Sequence, residues 1–390
     1  MCIGYLINKR NISSKMLNRY IKDYKLPIKV VSSPYFKYYC NLYNKNHNIK
    51  ESFNDLLVAL DDFDTEEDFL DYCNDVKKNM VNFIKDNKGY RLFTELDVKE
   101  LGEPITLFSR NSLYTSKNVG KKFISIDLKK ANFQAIKKIA PDVFGLSGDF
   151  TYEEFISKFT NYNYLIKNRQ FRQAVFGELS PKHQAEIQKV FMNKVKILLE
   201  SNGLLDSLKL AQATNDELVY EIESDSYIED LKFVREVCEL ELAIEKLVKK
   251  ELNIDIRIQS YELCSIMNSD KVFVKEIIGE EIFRIVNASA LDYAQYFKAY
   301  KNMTIDEYDL LFYHEGRLCK FMEPIFNNED IMRNKNKSSN IIHECTQCRN
   351  LETESYIEVE DETLCNNWCS KGGDVFRVYK EKYCEDFIQR

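Results

Sequence analysis

The chain has 390 residues, of which 44% are hydrophobic and 30% are charged, and its formal net charge is −7. This acidic balance argues against indiscriminate binding to polyanions, and 12 Gly and 6 Pro leave little room for long flexible linkers. Apolar runs fall short of the roughly 18 to 20 residues that span a bilayer, and the first residues lack a secretory-signal pattern. We therefore expect a soluble protein without a membrane partner, in the cytoplasm or, if it is viral, inside the host cell.

Residues 1–115 are predicted to form a mainly helical N-terminal region. Apolar residues recur at three-to-four spacing over 14–24, 51–63 and 66–86, which is typical of amphipathic helices. Thr65 stands ahead of acidic residues at 66 and 68, so we predict that it caps the last of these helices.

The next region, residues 116–265, alternates strands and helices. We predict a strand over 121–127, helices over 129–140, 162–176 and 181–200, a hairpin over 207–224, a helix over 227–253 and a strand over 254–263. This order is that of a split βαβ antiparallel sheet with helices on one face, so the expected fold class is α+β.

Three carboxylates in this region form a candidate catalytic set. Asp127 closes the first predicted strand, while Asp216 and Glu217 lie at the bend of the hairpin. The two strands are neighbours in a split βαβ sheet, so these side chains can meet at one edge. Nucleotidyl transfer uses two divalent ions about 4 Å apart, and Mg²⁺ prefers carboxylate oxygens. We therefore predict a site with two Mg²⁺ ions.

Segments around these carboxylates resemble motifs of palm-domain polymerases. NDELVYEI (215–222) is similar to the third palm motif of family-A DNA polymerases, and RQAVFG (172–177) to their finger-helix motif. SIDLKKANF (125–133) resembles their first palm motif and also the Asp-Leu-Lys-x-Ala-x-Phe motif of reverse transcriptases. The three occur in the family's order, and the first and third are spaced more as in reverse transcriptases.

The resemblance implies a palm-like core and gives the carboxylates their roles. Asp127 and Asp216 would bind both metals, with the Leu128 carbonyl as a further ligand. Glu217 would support the metal site or the primer end.

The resemblance also implies nucleotide contacts. Arg172 would hold the triphosphate, Phe176 would line the nucleotide pocket, and Asn132 falls at the sugar-discriminating position. The arginine that the family places four residues before Arg172 is Asn168 here, and Arg169, one position away, would replace it. The histidine of the third motif is an asparagine, and the Tyr-Gly that closes the finger motif is absent.

Basic residues concentrate in the middle of this acidic chain. Residues 117–196 contain 15 Lys and Arg against 7 Asp and Glu, a local charge of +8. A nucleic-acid groove produces such a pattern, and so do a few solvated helices, so both interpretations stay open.

The chain continues with a mixed α/β region over 266–335 and a cysteine-rich tail over 336–390. Two short-spaced thiolate pairs separated by a hairpin-length segment predict one tetrahedral Zn²⁺ site in a small zinc-ribbon-like fold. The predicted ligands are Cys345, Cys348, Cys365 and Cys369. His343 and Cys384 lie near them and leave the ligand set open.

Together these patterns predict a compact, divergent template-dependent polymerase, of viral or phage type, with two Mg²⁺ and one Zn²⁺. Its partners would be nucleic acid and nucleoside triphosphates, and protein partners are possible. One alternative is a non-catalytic nucleic-acid- or protein-binding module on a degenerate palm with a zinc ribbon, since fold does not fix function. Another is a magnesium-dependent nuclease, which also clusters carboxylates.

Overall fold

The computed structural model describes residues 12–107, 113–147, 149–224, 231–267, 269–314 and 316–331, and the backbone of three strands between 351 and 378. Helices are combined with an antiparallel sheet, which confirms the α+β class. The chain forms two compact units, which comprise Met1–Tyr293 with Leu311–Cys319, and Ala294–Leu310 with Lys320–Arg390. Every helix in the described ranges is too short or too polar to cross a bilayer.

The described residues of the N-terminal region are mainly helical, as predicted. Its helices are α1 (Ser14–Tyr24), α2 (Tyr35–His47), α3 (Ile49–Leu60), α4 (Glu66–Lys85) and α5 (Lys88–Glu95). The predicted cap of α4 is confirmed, because the Thr65 side chain accepts a hydrogen bond from the Asp68 N–H and the Asp68 carboxylate accepts one from the Thr65 N–H. This reciprocal pair satisfies two N–H groups at the helix start.

A six-stranded sheet forms the centre of the first unit. Its strands are β1 (Lys122–Leu128), β2 (Leu208–Ala213), β3 (Glu217–Ile222), β4 (Ile256–Ser265), β5 (Phe273–Ile277) and β6 (Phe283–Val286). They lie in the order β2-β3-β1-β4-β5-β6, and all neighbours are antiparallel. The predicted hairpin and the strand that ends near Asp127 are therefore adjacent, as expected.

In the described residues, six α-helices connect β1 to β2 and β3 to β4. They are α6 (Ala131–Ile139), α7 (Tyr152–Ile156), α8 (Asn163–Ile166), α9 (Arg169–Phe176), α10 (Pro181–Ser201) and α11 (Leu231–Leu252). The prediction of one helix over 162–176 is wrong, because this segment divides into α8 and α9. Asn168 causes the break: its side chain accepts a hydrogen bond from the Phe171 N–H and caps α9.

The two faces of the sheet have different neighbours. Side chains alternate between the faces along each strand. The face that carries Ile124 packs on α11, where Glu241 accepts hydrogen bonds from the Ser260 hydroxyl and N–H. The opposite face buries an apolar cluster that includes Phe123 and Tyr261. Beyond this cluster the same face becomes polar, and the candidate site lies there.

The rest of the chain contains α12 (Tyr293–Tyr300) and the strands β7 (Leu311–His314), β8 (Arg317–Lys320), β9 (Leu351–Val359), β10 (Glu362–Cys369) and β11 (Phe376–Val378). The last three pair in the order β11-β10-β9. The predicted zinc ligands lie outside the described residues or, within β10, have side chains that are not described. They are Cys345, Cys348, Cys365 and Cys369, with His343 and Cys384 as further candidates. The zinc site therefore stays a prediction.

Candidate functional site

The three predicted carboxylates lie together at one end of the sheet. Asp127 on β1 is the direct partner of Glu217 on β3, so their side chains share a face. Asp216 stands in the turn before β3, and its carbonyl accepts a hydrogen bond of 2.8 Å from the Leu128 N–H. The turn itself is fixed by Thr214, whose hydroxyl accepts from the Glu217 N–H at 3.1 Å. Local turn chemistry thus places Asp216 beside the end of β1.

Arg257 completes this cluster from the other side of β1. It is the partner of Asp127 on β4, and its guanidinium donates a 2.6 Å hydrogen bond to Asp127 Oδ2. The ion pair is half exposed on the arginine side and largely buried on the aspartate side. Asp127 therefore has a positive neighbour within the protein.

The pKa of Asp127 is raised to about 6. Burial is the largest cause, the Arg257 guanidinium opposes it, and the neighbouring charges of Asp216 and Glu217 raise the pKa further. Desolvation and like charge both disfavour an ionised carboxylate. A cation bound between the carboxylates would remove this penalty.

The donor set suits Mg²⁺. Asp127, Asp216 and Leu128 line one cavity and offer hard oxygen ligands. Mg²⁺ is usually bound through one or two carboxylates, together with water and substrate phosphates, rather than in an all-protein cage. Within the described residues, no group of three or more His, Cys, Asp or Glu side chains is arranged to hold a metal ion, so the magnesium site stays a prediction.

The cavity has a volume of about 270 Å³ and unites most of the predicted site residues. Carboxylates form one side, and α9 forms another. The lining residues are Asp127, Leu128, Lys129, Lys130, Ala131, Asn132, Arg169, Arg172, Gln173, Asp216 and Arg257. We call this space the carboxylate–arginine pocket. It has the mixed charge that a metal-bound polyphosphate requires.

The α9 wall supplies the positive charge. The Arg172 guanidinium lies over the Tyr152 ring, 5.3 Å from its centroid. Burial lowers the pKa of Arg172, and repulsion from Arg169 adds to this effect. Within the described residues, neither arginine has a carboxylate in salt-bridge contact, so both charges are available to an anion. By contrast, Lys129 pairs with a glutamate on α11 at 2.9 Å.

Of the two remaining polar candidates, Asn132 lines the pocket and Glu217 does not. Asn132 lines the pocket and accepts a 2.7 Å hydrogen bond from the Gln188 amide, which fixes its orientation. Glu217 is not among the lining residues, because its carboxylate turns along β1 and accepts a 2.6 Å hydrogen bond from the Ser125 hydroxyl. The structure thus brings Asn132 to the pocket and leaves Glu217 behind it.

Phe176 does not line the pocket. Its side chain is fully buried and contacts the rings of Phe133 and Tyr152. The following Gly177 also has a packing role, because a Cβ there would come within 2.9 Å of the Gln173 carbonyl oxygen. The Phe-Gly pair therefore shapes the end of α9, and the expectation for Phe176 is corrected.

Two functional candidates were not predicted from the sequence. Arg257 stands in a predicted strand, but only the register of β4 against β1 places it opposite Asp127. Tyr152 lies in α7 and comes close to Arg172 through the fold. Alternation within the strand could have assigned Arg257 to a polar face, whereas nothing local marks Tyr152.

Comparisons with known proteins do not assign the chain to a family. No protein-family model matches the chain, and no curated protein matches it significantly.

Proposed function

We propose that the protein is a magnesium-dependent nucleotidyltransferase, a compact template-dependent polymerase that acts on nucleoside triphosphates and nucleic acid. One observation carries the proposal. A single pocket contains the carboxylates of Asp127 and Asp216, and it also contains Arg169 and Arg172, which have no salt bridge within the described residues. A metal-bound triphosphate needs acidic ligands for its cations and basic donors for its phosphates.

Each side chain has a role in this proposal. Asp127, Asp216 and the Leu128 carbonyl would hold the metal ions, which when bound neutralise phosphate charge and align the attacking and leaving oxygens. Arg169 and Arg172 bind and orient the phosphates, because guanidinium groups donate paired hydrogen bonds to phosphate oxygens. Partial burial of Arg172 strengthens this attraction, since charges interact more strongly away from water.

Asn132 extends the site beyond the phosphates. It lines the same pocket, and its carbonyl oxygen is already engaged by the Gln188 amide. Its remaining NH₂ group can donate to a sugar hydroxyl. In the polymerases that this chain resembles, the corresponding position discriminates between sugars, so Asn132 is the proposed sugar contact.

The sheet supports a palm-like core. Four strands lie in the order β2-β3-β1-β4, and helices connect β1 to β2 and β3 to β4. This is the split βαβ arrangement. The three polymerase-like motifs fall on β1 with the start of α6, on α9, and on the β2–β3 turn with β3. These are the elements around the carboxylate–arginine pocket.

One observation favours a second candidate, a nucleic-acid-binding module without catalysis. Arg257 already pairs with Asp127 through a 2.6 Å contact and offsets part of its charge. An internal cation at a metal ligand reduces the need for a bound metal. In this alternative the pocket would bind phosphates through its arginines and would not perform transfer.

A nucleotide-incorporation assay separates the two candidates. The wild-type chain would be incubated with primed and unprimed templates of DNA and RNA, with Mg²⁺ or Mn²⁺, and with each class of triphosphate. Asp127→Asn and Asp216→Asn should abolish product. Asp75→Asn, which changes an exposed acid on α4, is the matched control and should retain it.

The polymerase and the binding module predict different results in this assay. Metal-dependent extension that is lost only in the two pocket variants supports the polymerase. Oligonucleotide binding without extension under every template and metal condition would support the binding module instead.

A further inference from the structure

A second cavity opens beside the carboxylate–arginine pocket. It has a volume of about 460 Å³ and is lined by the end of α1, by Gln170 of α9 and by residues that follow β6. Gln170 is the neighbour of Arg169, which lines the first pocket. We call this space the side cavity. The two cavities therefore share the start of α9.

The side cavity combines an apolar surface with positive charge. Leu26, Pro27 and Tyr293 supply apolar surface, and Lys22 and Lys25 stand among the lining residues. None of the described residues that line it carries a carboxylate. Lys25 ends α1 in a left-handed conformation (φ 52°), and its N–H bonds to carbonyls of the last turn. This cap fixes where the backbone of Lys25 turns away from the helix.

Gln170 adds an unused hydrogen-bond donor. Its Nε2 is buried and has no hydrogen-bond partner among the described residues. A buried amide without a partner loses free energy relative to its hydrated state. Gln170 lines the side cavity, so a ligand there with acceptor oxygens or ring nitrogens would remove this loss once the amide turns toward it.

Two further cations, Lys25 and Arg284, lie near Arg169. Burial lowers the pKa of Lys25, and so does repulsion from Arg169. Burial also lowers the pKa of Arg284 on β6, as does repulsion from Arg257 and Arg169, although Glu280 and Asp127 oppose this. Within the described residues, Lys25 and Arg284 have no salt bridge. These like charges repel one another in the free protein, and an anionic chain along them would stabilise the arrangement.

We propose that the side cavity binds one nucleotide of a single-stranded nucleic acid, whose neighbouring phosphates continue past Arg169 toward the carboxylate–arginine pocket. The apolar surface accepts the base, Lys22 and Lys25 contact phosphates, and the Gln170 amide donates to a base or phosphate oxygen. Grooves for single strands combine these two elements, a charged track and an apolar platform. The inference rests on the proposed function and assigns a subsite for its nucleic-acid strand.

The test uses the full-length protein and a fluorescent single-stranded oligonucleotide of about ten nucleotides, within the usual site size of such grooves. Binding is followed by anisotropy in EDTA, without triphosphate, over a range of salt concentrations. Lys22→Gln/Lys25→Gln should weaken binding by about tenfold or more, because each of the two lysines loses a contact to a charged phosphate. It should also flatten the slope of log K against log salt by about 1.4, as for two phosphate contacts.

Two further variants sharpen the result. Gln170→Leu keeps the approximate size of the side chain and removes an uncharged amide, so it should weaken binding several-fold with an unchanged salt slope. Lys78→Gln/Lys85→Gln removes two exposed charges on α4, outside both cavities, and should leave affinity and slope nearly unchanged.

Equal losses of oligonucleotide affinity in the Lys22/Lys25 and Lys78/Lys85 variants would overturn the inference, because they would show only a general charge effect. Polyglutamate that competes as well as the oligonucleotide would overturn it too. Because the assay contains neither metal nor triphosphate, it separates the two proposals. Normal binding without incorporation contradicts the polymerase alone, whereas incorporation by a chain whose Lys22/Lys25 variant binds normally contradicts the side-cavity subsite alone.

Discussion

The ionisation of Asp127 connects protein stability with the chemistry of the pocket. Its pKa in the folded chain is about 6, above the usual value of an aspartate, because of burial and the nearby carboxylates. The folded state thus favours the protonated form. The protonated carboxyl makes its full contribution to the free energy of unfolding below about pH 4, and this contribution is lost as the pH rises through about 6. In metal-free protein near neutral pH, the charged Asp127 is destabilising.

Asp127→Asn should therefore stabilise the metal-free protein while it removes activity. The expected gain is on the order of 1–2 kcal/mol at about pH 8 and close to zero at about pH 4, because a neutral amide avoids the cost of burying charge. Thermal unfolding in EDTA at both pH values measures it. Mn²⁺ should raise the melting temperature of the wild type but not of Asp127→Asn. An equal gain at both pH values would contradict the electrostatic explanation.

Arg257 acts on the same carboxylate as a competing cation. A divalent ion at Asp127 has to replace the 2.6 Å contact between Arg257 and the carboxylate. Arg257→Gln should consequently bind Mn²⁺ more tightly, by about tenfold, which corresponds to about 1.4 kcal/mol. Arg257→Lys keeps the charge, so its Mn²⁺ affinity should lie between those of the wild type and of Arg257→Gln.

Titration calorimetry or the Mn²⁺ paramagnetic resonance signal gives the dissociation constants directly, without any need for activity. Weaker Mn²⁺ binding in Arg257→Gln would show instead that the arginine orders the metal ligands.

At the scale of elements, α7 and α9 form the basic wall of the pocket. Asn168 caps α9, Arg172 follows one turn later on it, and the Tyr152 ring of α7 supports the guanidinium. Arg172 is partly exposed, and its ring contact contributes about 0.5–1 kcal/mol. Its position is therefore set by two helices, while its charge contributes little to the fold.

Arg172→Ala should raise the Michaelis constant for the triphosphate by about tenfold or more, because a charged phosphate contact is lost. Its melting temperature should change little, since no salt bridge within the described residues depends on it. Arg172→Lys should recover part of the affinity. Steady-state kinetics and thermal unfolding together test this. A large drop in melting temperature with an unchanged Michaelis constant would assign Arg172 a structural role.

Elements with strong local patterns could be predicted from the sequence. The apolar strand before Asp127, the hairpin around Asp216 and the Thr65 cap all follow from residues near one another. The pairing of Arg257 with Asp127 could not be predicted, because a one-residue shift in register would place it on the opposite face. The burial of Phe176 depends on aromatic residues far away in the chain, which no local period reveals.

At the scale of the whole molecule, charge is distributed unevenly. The chain has a net charge of −7, yet the two cavities contain several cations without salt bridges among the described residues. Acidic surfaces elsewhere would repel nucleic acid, so binding should be confined to this region and should weaken with salt. The local excess of basic residues over 117–196 contributes Arg169 and Arg172 to it.

The cysteine-rich tail gives a further prediction for the whole chain. Residues 341–390 contain few large aliphatic side chains, so a metal cross-link would offset the ordering entropy of this segment. Elemental analysis should find about one zinc per chain, bound by four thiolates. Cys345→Ser/Cys348→Ser should lose the zinc, and Cys238→Ser, which changes an exposed thiol on α11, should retain it. A purified chain without zinc whose tail is equally resistant to protease would contradict the site.

The most direct test of the central claim is a crystal structure of the protein with Mn²⁺ and a non-hydrolysable nucleoside triphosphate analogue, analysed by anomalous scattering. We predict Mn²⁺ peaks between Asp127 and Asp216, about 4 Å apart if both ions bind. The triphosphate should extend toward Arg169 and Arg172, and Arg257 should have left Asp127. Anomalous density elsewhere, with the Arg257–Asp127 contact intact and the phosphates away from α9, would contradict the proposed nucleotidyltransferase site.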